Sequence, residues 1–445
     1  MNQAAPALRD AMRVWLRIGL LSFGGPAGQI ALLHREIVEQ SGWVGERRFL
    51  HALSFCTLLP GPEATQLATY LGWLLNGPAG GVAACLLFIL PGATLLLALS
   101  ALYVTAAHLP AIEGLFYGLK CAVLALVVQA LLRIGGRALK TRAAWVLAAL
   151  AFLSLFVFAL PYPALICAAG CAGALAPSRF GAPSGADGRD APADLIDMLH
   201  AADPARRGRL ERGARRAGIA ALALWLLPLA TLSVFARGRF ADIAWFFSKM
   251  AVVTLGGAYA VLAYVAQDAV RYYHWLSAPE MITGLGLAET TPGPLILVLQ
   301  FVGFLAGARA AGPLHGMAGG VAASALTLWV TFLPSLAFVF FGAPLVERLA
   351  ANLALRGALA AITASIVGVI ANLTAWFALH ALFATMHPVS AGLASFDLPV
   401  ASSLDPVAAI IAFLAALGLF RLRLSVPAVL GLAAGSGLLL RLSGI

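Results

Sequence analysis

Two tripeptides, Pro60-Gly61-Pro62 and Pro292-Gly293-Pro294, interrupt long apolar runs of this 445-residue sequence. Proline removes an N–H and clashes with the preceding helical turn, and glycine weakens the helix further, so neither run is predicted to be one regular helix. Pro62 and Pro294 suit the first position of a new half-helix. The first amides of such a half-helix have no intrahelical acceptor and carry the positive end of its dipole. Two of these ends facing one space make an anion site.

Other side chains fit the same chemistry. Arg17 and Lys249 each precede a Gly-Gly pair, Gly24-Gly25 and Gly256-Gly257, by seven positions (17 to 24, 249 to 256). That is about two helical turns, which predicts a shared, cavity-facing position for both cations. Ser22 and Thr254 hold matching places beside them, and Thr290 and Thr291 add hydroxyls before the second break. The glycine pairs let backbone or ligand approach closely. Glu63 follows the first break and Glu289 precedes the second, and neither has an acidic counterpart: the matching residues are Leu295 and Thr57. A carboxylate at membrane depth can take up a proton, so both are expected to serve as proton-coupling groups.

These features occur in two copies. Gly24-Gly25 returns as Gly256-Gly257, Trp43 as Trp275 and the first Pro-Gly-Pro as the second, each 232 positions on (24 to 256, 43 to 275, 60 to 292). The hexapeptide Ala79-Gly80-Gly81-Val82-Ala83-Ala84 recurs verbatim at Ala318–Ala323. The chain therefore reads as a tandem duplication. The expected organisation is a first repeat over 1–176, a polar arginine-rich linker over 177–216, an unpaired span over 217–242 and a second repeat over 243–445. The odd central span inverts the second copy, the construction of many secondary transporters.

Composition sets the solvent. The chain is 61% hydrophobic and 11% charged, with a mean hydropathy of +0.92. Soluble domains carry about 25% charged residues, so lipid must surround most of this one. About thirteen apolar runs of crossing length predict an all-α polytopic membrane protein, two inverted repeats of about six spans joined by the extra one, with helices broken at the Pro-Gly-Pro motifs. The formal charge of +10 is the mark of cytoplasmic loops rather than of nucleic acid, and the bias of Arg and Lys places the N-terminus inside. On that count Arg35, Arg47 and Arg48 fall outside and Arg271 inside. No HExxH, CxxC, phosphate loop or nucleotide-binding motif is present, so no enzyme, metal or cofactor is expected.

Ser22-Phe23-Gly24-Gly25-Pro26, Gly42-Trp43, Leu59-Pro60-Gly61-Pro62 and Tyr70-Leu71-Gly72 resemble the first-half signature of the chromate transporter family. Leu255-Gly256-Gly257, the stretch from Glu289 to Pro294, and Gln300-Phe301-Val302-Gly303-Phe304 resemble its second half. The likeness covers about residues 10–380 and fits the long, two-domain members. It implies a bacterial inner-membrane protein that exports chromate, conferring resistance, and draws on the proton motive force rather than ATP. The implied partners are the oxyanion, protons and the bilayer, with a homodimer left open. Ala258 stands where the first copy has Pro26, a departure from strict equivalence of the breaks. Sulfate shares the charge and tetrahedral shape of chromate, so a permease for sulfate or another oxyanion, or a passive anion channel, is the alternative reading.

Overall fold

The computed structural model describes residues 5–158, 160–180, 195–203, 205–235, 238–255, 258–311, 314–345, 352–391 and 394–443. The described residues are mostly helical, as an apolar sequence in lipid must be to satisfy its own backbone. In order come α1 (Leu8–Leu21), α2 (Gly25–His34), α3 (Glu46–Cys56), α4 (Glu63–Ala106), α5 (Pro110–Ala138), α6 (Arg142–Phe156) and α7 (Tyr162–Leu175). The linker region contributes α8 (Leu195–Ala202) and α9 (Ala205–Phe235), the latter continuous across the expected boundary between linker and central span. Then follow α10 (Arg239–Val253), α11 (Ala258–Gln267), α12 (Ala278–Thr290), α13 (Val298–Ala308), α14 (Gly316–Gly342), α15 (Leu353–Leu382), α16 (Pro406–Phe420) and α17 (Val426–Leu442). Among the described residues α4, α5, α9, α14 and α15 are long and apolar enough to cross a membrane, and several shorter helices are equally apolar. Between α15 and α16 lies an antiparallel hairpin, β1 (Met386–Ala391) and β2 (Ala394–Pro399), with Val389 opposite Phe396.

Element by element the second copy retraces the first. α10, α11 and α12 stand for α1, α2 and α3, and both α2 and α11 run on into a π-helical turn (Arg35–Gln40 and Asp268–Tyr272). α4 is kinked at Asn76-Gly77, where Gly77 has φ +68°, and its two arms correspond to α13 and α14. In each copy the short arm packs back on the long one through glycines. A Cβ on Gly72 would lie 2.5 Å from the carbonyl oxygen of Gly80, and one on Gly307 would lie 2.3 Å from that of Gly319. Small residues let membrane helices approach this closely.

The chain forms two compact units, each drawing on both halves of the sequence: Met1–Leu97 with Ser184–Ala258 and Thr291–Asn352, and Ala98–Pro183 with Tyr259–Thr290 and Leu353–Ile445. In the second unit α5 packs on α15, α16 and α17, and glycine contacts again set the spacing, Gly118 against Ala433 and Gly173 against Gly357. In the first unit α14 packs on α9, α10 and α13.

Contacts within the first unit correct part of the expected topology. Arg48 pairs with Asp197 of α8, Arg206 donates to the carbonyls of Leu74 and Leu75 at 3.1 and 2.9 Å, and Asn76 donates to the carbonyl of Pro6 at 2.7 Å. The start of α3, the kink of α4, the N-terminal segment and the linker helices therefore share one face. The apolar runs that hold Gly24-Gly25 and the first Pro-Gly-Pro, counted among the expected crossings, do not cross. Each breaks and turns back, so that Glu36 returns to within 3.6 Å of Arg17. Arg35, Arg47 and Arg48 thus do not lie across the membrane from the linker. The start of the long arm of α4 meets the end of α14: a Cβ on Gly81 would touch the ring of Phe340 at 3.1 Å.

Candidate functional site

The two Pro-Gly-Pro breaks meet in the first unit, and they meet crosswise. The N–H of Gly61 donates to the carbonyl of Thr254 at 2.7 Å, and the N–H of Gly293 donates to the carbonyl of Ser22 at 2.8 Å. Each bond ties the break of one copy to the residue two positions before the Gly-Gly of the other, and the same shift relates both partners (61 to 293, 22 to 254). Such an exchange of partners is what an approximate two-fold relation produces. Gly61 and Gly293 have φ of +130° and +101°, conformations open to glycine.

Each break also rests on the long helix of the opposite copy. Gly61 lies against Ser335, just past Pro334 in α14, and Pro292-Gly293 lies against Gly92, just past Pro91 in α4. A Cβ on Gly92 would fall 1.9 Å from the carbonyl oxygen of Pro292. Gly92 is the midpoint of residues 78–106, an arm of ~43 Å that exceeds a ~30 Å hydrocarbon core. The breaks therefore sit against the middle of that helix.

Between the breaks is a narrow cavity lined by Pro26, Gln29, Pro62, Glu63, Ala64, Ala258, Pro294, Leu295 and Ile296. The lining is paired: Pro26 with Ala258, Pro62 with Pro294, Glu63 with Leu295, Ala64 with Ile296. Its volume of about 10 Å³ has room for about one water molecule, so this conformation is closed to a larger ligand. The first internal bonds of the two half-helices run from Gln66 N–H to Pro62 O and from Leu297 N–H to Pro294 O. The amides of Glu63, Ala64, Leu295 and Ile296 precede those bonds, so both positive helix ends belong to residues of the same lining.

A shell of buried amides and hydroxyls surrounds the breaks. Gln29 donates to the carbonyl of Gly293 at 2.6 Å, Gln66 to that of Pro60 at 2.7 Å and Gln300 to that of Ala93 at 2.9 Å. The side-chain carbonyls of Gln66 and Gln300 and the hydroxyls of Ser22, Thr65 and Thr331 are buried with no hydrogen-bond partner in the protein. A buried polar group without a partner costs roughly 1–3 kcal/mol, and these groups could exchange hydrogen bonds with a small polar guest. Gln29, Thr65, Gln66 and Thr331 escaped the motif-based reading of the sequence, although an amide inside an apolar run is itself a signal.

Of the residues singled out by sequence, Ser22, Pro60, Gly61, Pro62, Glu63, Thr254, Thr291, Pro292, Gly293 and Pro294 all belong to the unit that holds the crossed breaks. Gly24 and Gly25, at φ +88° and +69°, make the turn between α1 and α2. The hydroxyls of Thr254 and Thr290 donate to carbonyls of their own helices, those of Met250 and Leu287. Arg17 and Lys249 are not brought to the cavity. Arg17 is 58% exposed and pairs with Glu36, while Lys249 is exposed on α10. The physical reason is that α1 ends at Leu21 and α10 at Val253, so no continuous helix carries the two-turn phase as far as the glycine pairs. Gly256 and Gly257 lie outside the described residues. Glu289 belongs to the second unit, where it is 6% exposed and accepts a hydrogen bond from the Tyr259 hydroxyl at 2.7 Å.

Comparison with known proteins follows the same two-copy pattern. The profile described as chromate transporter matches residues 9–174 and again 241–438. A chromate transport protein of Pseudomonas aeruginosa is 33% identical over 369 residues, 81% of this chain and 78% of the relative. A second, from Cupriavidus metallidurans, is 25% identical and covers 82% and 80% of the two chains. The uncharacterized transporter YwrB of Bacillus subtilis is 31% identical over 149 residues, 34% of this chain but 75% of its own. No solved structure matches the chain.

Proposed function

Because this chain belongs to the chromate transporter family, whose members are multi-pass membrane transporters and not enzymes, we propose that it exports chromate, or a tetrahedral dianion like it, from the cytoplasm across the bacterial inner membrane at the expense of the proton motive force. The observation that carries the reading is the crossed pair of hydrogen bonds, Gly61 to Thr254 and Gly293 to Ser22, which presents both half-helix N-termini to one cavity. The meeting of the start of one long arm with the end of its equivalent supports an inverted repeat. In such a repeat, rocking of the copies opens a central site to either face in turn.

The charge balance gives Glu63 its role. Each helix end is worth about half a positive charge, so the pair offers about +1 against the −2 of the oxyanion. An ionised Glu63 in the same lining would bring the negative total to three. Protonation removes that repulsion and turns the carboxyl into a donor, so a proton binds with the oxyanion; the pair leaves with a net charge of −1, and the inside-negative membrane potential, the electrical part of the proton motive force, drives the export. Ser22 and Thr65 supply further donors around the site. Arg17 and Lys249 enter this site only if another conformation carries them inward.

Chromate uptake into everted membrane vesicles, with and without a protonophore and with sulfate as competitor, tests the reading. The expected result is saturable uptake that collapses with the proton gradient. Flux indifferent to the gradient identifies a passive anion channel instead, and full suppression by equimolar sulfate identifies a less selective oxyanion permease.

A further inference from the structure

A much larger cavity, about 480 Å³, lies in the same unit at the opposite end of α3 from the break. That size falls within the range of pockets that hold small ligands. Arg47, Arg48 and His51 reach it from the first turns of α3, where spacings of three and four residues place them on one side of the helix. Arg207 of α9 adds a fourth basic group, and Trp73 closes the cavity from the short arm of α4. The cavity is therefore wedged between the helices that flank the first Pro-Gly-Pro, one length of α3, ~16 Å, from the central site.

What sits against the arginines is a carboxylate brought by the linker. Asp197 of α8 pairs with Arg48 and lies 3.9 Å from Arg47, while Glu211 of α9 pairs with Arg207 at 3.1 Å. A guanidinium fork matches the two oxygens of a carboxylate and the edge of a tetrahedral oxyanion in the same way. Neither guanidinium of α3 is fully exposed: the side chains of Arg47 and Arg48 are 40% and 24% accessible, and that of Asp197 is 36%. Arginines poised over a cavity, and met by a tethered anion, are an anion site with its own competitor in place.

We infer that this basic cavity is an outer binding site for tetrahedral dianions, and that Asp197 is the built-in carboxylate they displace on entry. The inference rests on the oxyanion-transport reading and extends it with a second site and a linker that senses the substrate. When a dianion takes the arginine pair, α8 loses its hold on α3 and the linker is released from the mouth of the cavity. The linker then couples substrate concentration to access.

The test uses the full chain reconstituted in phosphatidylcholine vesicles, with labelled chromate and sulfate as probes. Asp197→Asn removes the competitor and is expected to lower the half-saturating concentration for flux about fivefold, the scale of a partly exposed ion pair. Asp197→Glu is expected to restore the wild-type value, and Arg48→Gln to raise it. An Asp197→Asn protein that saturates like the wild type overturns the inference while its flux leaves the transport reading standing. So does a variant whose linker merely becomes easier to cleave by protease. Absence of oxyanion flux in the wild type overturns both readings. A parallel set of vesicles containing phosphatidylglycerol separates a free oxyanion from a lipid phosphate. Half-saturation unaffected by that lipid supports the oxyanion site, whereas an increase in Asp197→Asn back to the wild-type value assigns the cavity to a headgroup and overturns it.

Discussion

Among the described residues Glu63 is the one charged side chain in the lining of the central cavity, and its counterpart is Leu295. A site built from paired elements is thus made unequal at a single ionisable position. If binding of a dianion requires that carboxyl to be protonated, flux of sulfate, whose own charge is constant near neutrality, falls as pH rises. Glu63→Gln fixes the neutral form and is expected to flatten the pH profile while flux at acidic pH is retained. Flux measured from pH 6 to 8 in vesicles decides the matter, and a profile that keeps its wild-type slope removes Glu63 from coupling. Lys249→Gln is the contrasting change: with its side chain exposed on α10, it is expected to leave half-saturation unaltered in the same assay. Glu63 was legible in the sequence because its position depends on the adjacent Pro-Gly-Pro alone. The placing of Arg17 and Lys249 was not, because it depends on where α1 and α10 stop, and those ends are set by tertiary contacts of Ser22 and Thr254 with residues far along the chain.

At the scale of elements, the breaks are held by close backbone approach rather than by large side chains. Gly92→Ala would drive a methyl group to 1.9 Å from the carbonyl oxygen of Pro292, an atom that cannot turn aside. Overpacking of this kind costs roughly 1–3 kcal/mol, and here it pushes directly on the second break. The variant is expected to melt several degrees lower in detergent and to transport poorly. Gly431→Ala, in α17 and with no atom near the added methyl, is expected to melt no lower than the wild type. Equal melting temperatures for the two would show that the contact at Gly92 does not constrain the fold. Proline and glycine announce the interruptions locally, since each acts on its own backbone. The partner that receives the freed N–H is invisible in sequence: nothing in Gly61 points to Thr254. The returns of the chain after α2 and α11 were likewise hidden, because the apolar runs that end there read as whole crossings, whereas the kink at Asn76-Gly77 falls at the boundary between two such runs.

For the molecule as a whole, those returning segments decide which residues share a side of the membrane. α9, with 31 residues and ~46 Å of length, is long enough to carry the chain from the face that holds Arg206 to the other. A crossing by α9 would start the second copy from the opposite side, as the proposed inverted repeat requires. The face shared by the N-terminal segment, the start of α3 and the linker collects Arg9, Arg13, Arg47, Arg48, Arg206, Arg207 and Arg209, which the positive-inside rule assigns to the cytoplasm. Single cysteines in a background without Cys56, Cys85, Cys121, Cys167 and Cys171 give this arrangement a direct measure. Ser41→Cys, in the turn before α3, and Ala201→Cys, in the linker, are expected to resist a membrane-impermeant maleimide in intact cells and to react once the membranes are everted. Asp242→Cys, in the first turn of α10 beyond the far end of α9, is expected to react in intact cells. The count of uninterrupted crossings makes a different forecast for Ser41, namely the side opposite the linker. Labelling of Ser41→Cys together with Asp242→Cys, with Ala201→Cys protected, would restore that count, and with it the separation of Arg48 from Asp197 that the basic cavity cannot survive.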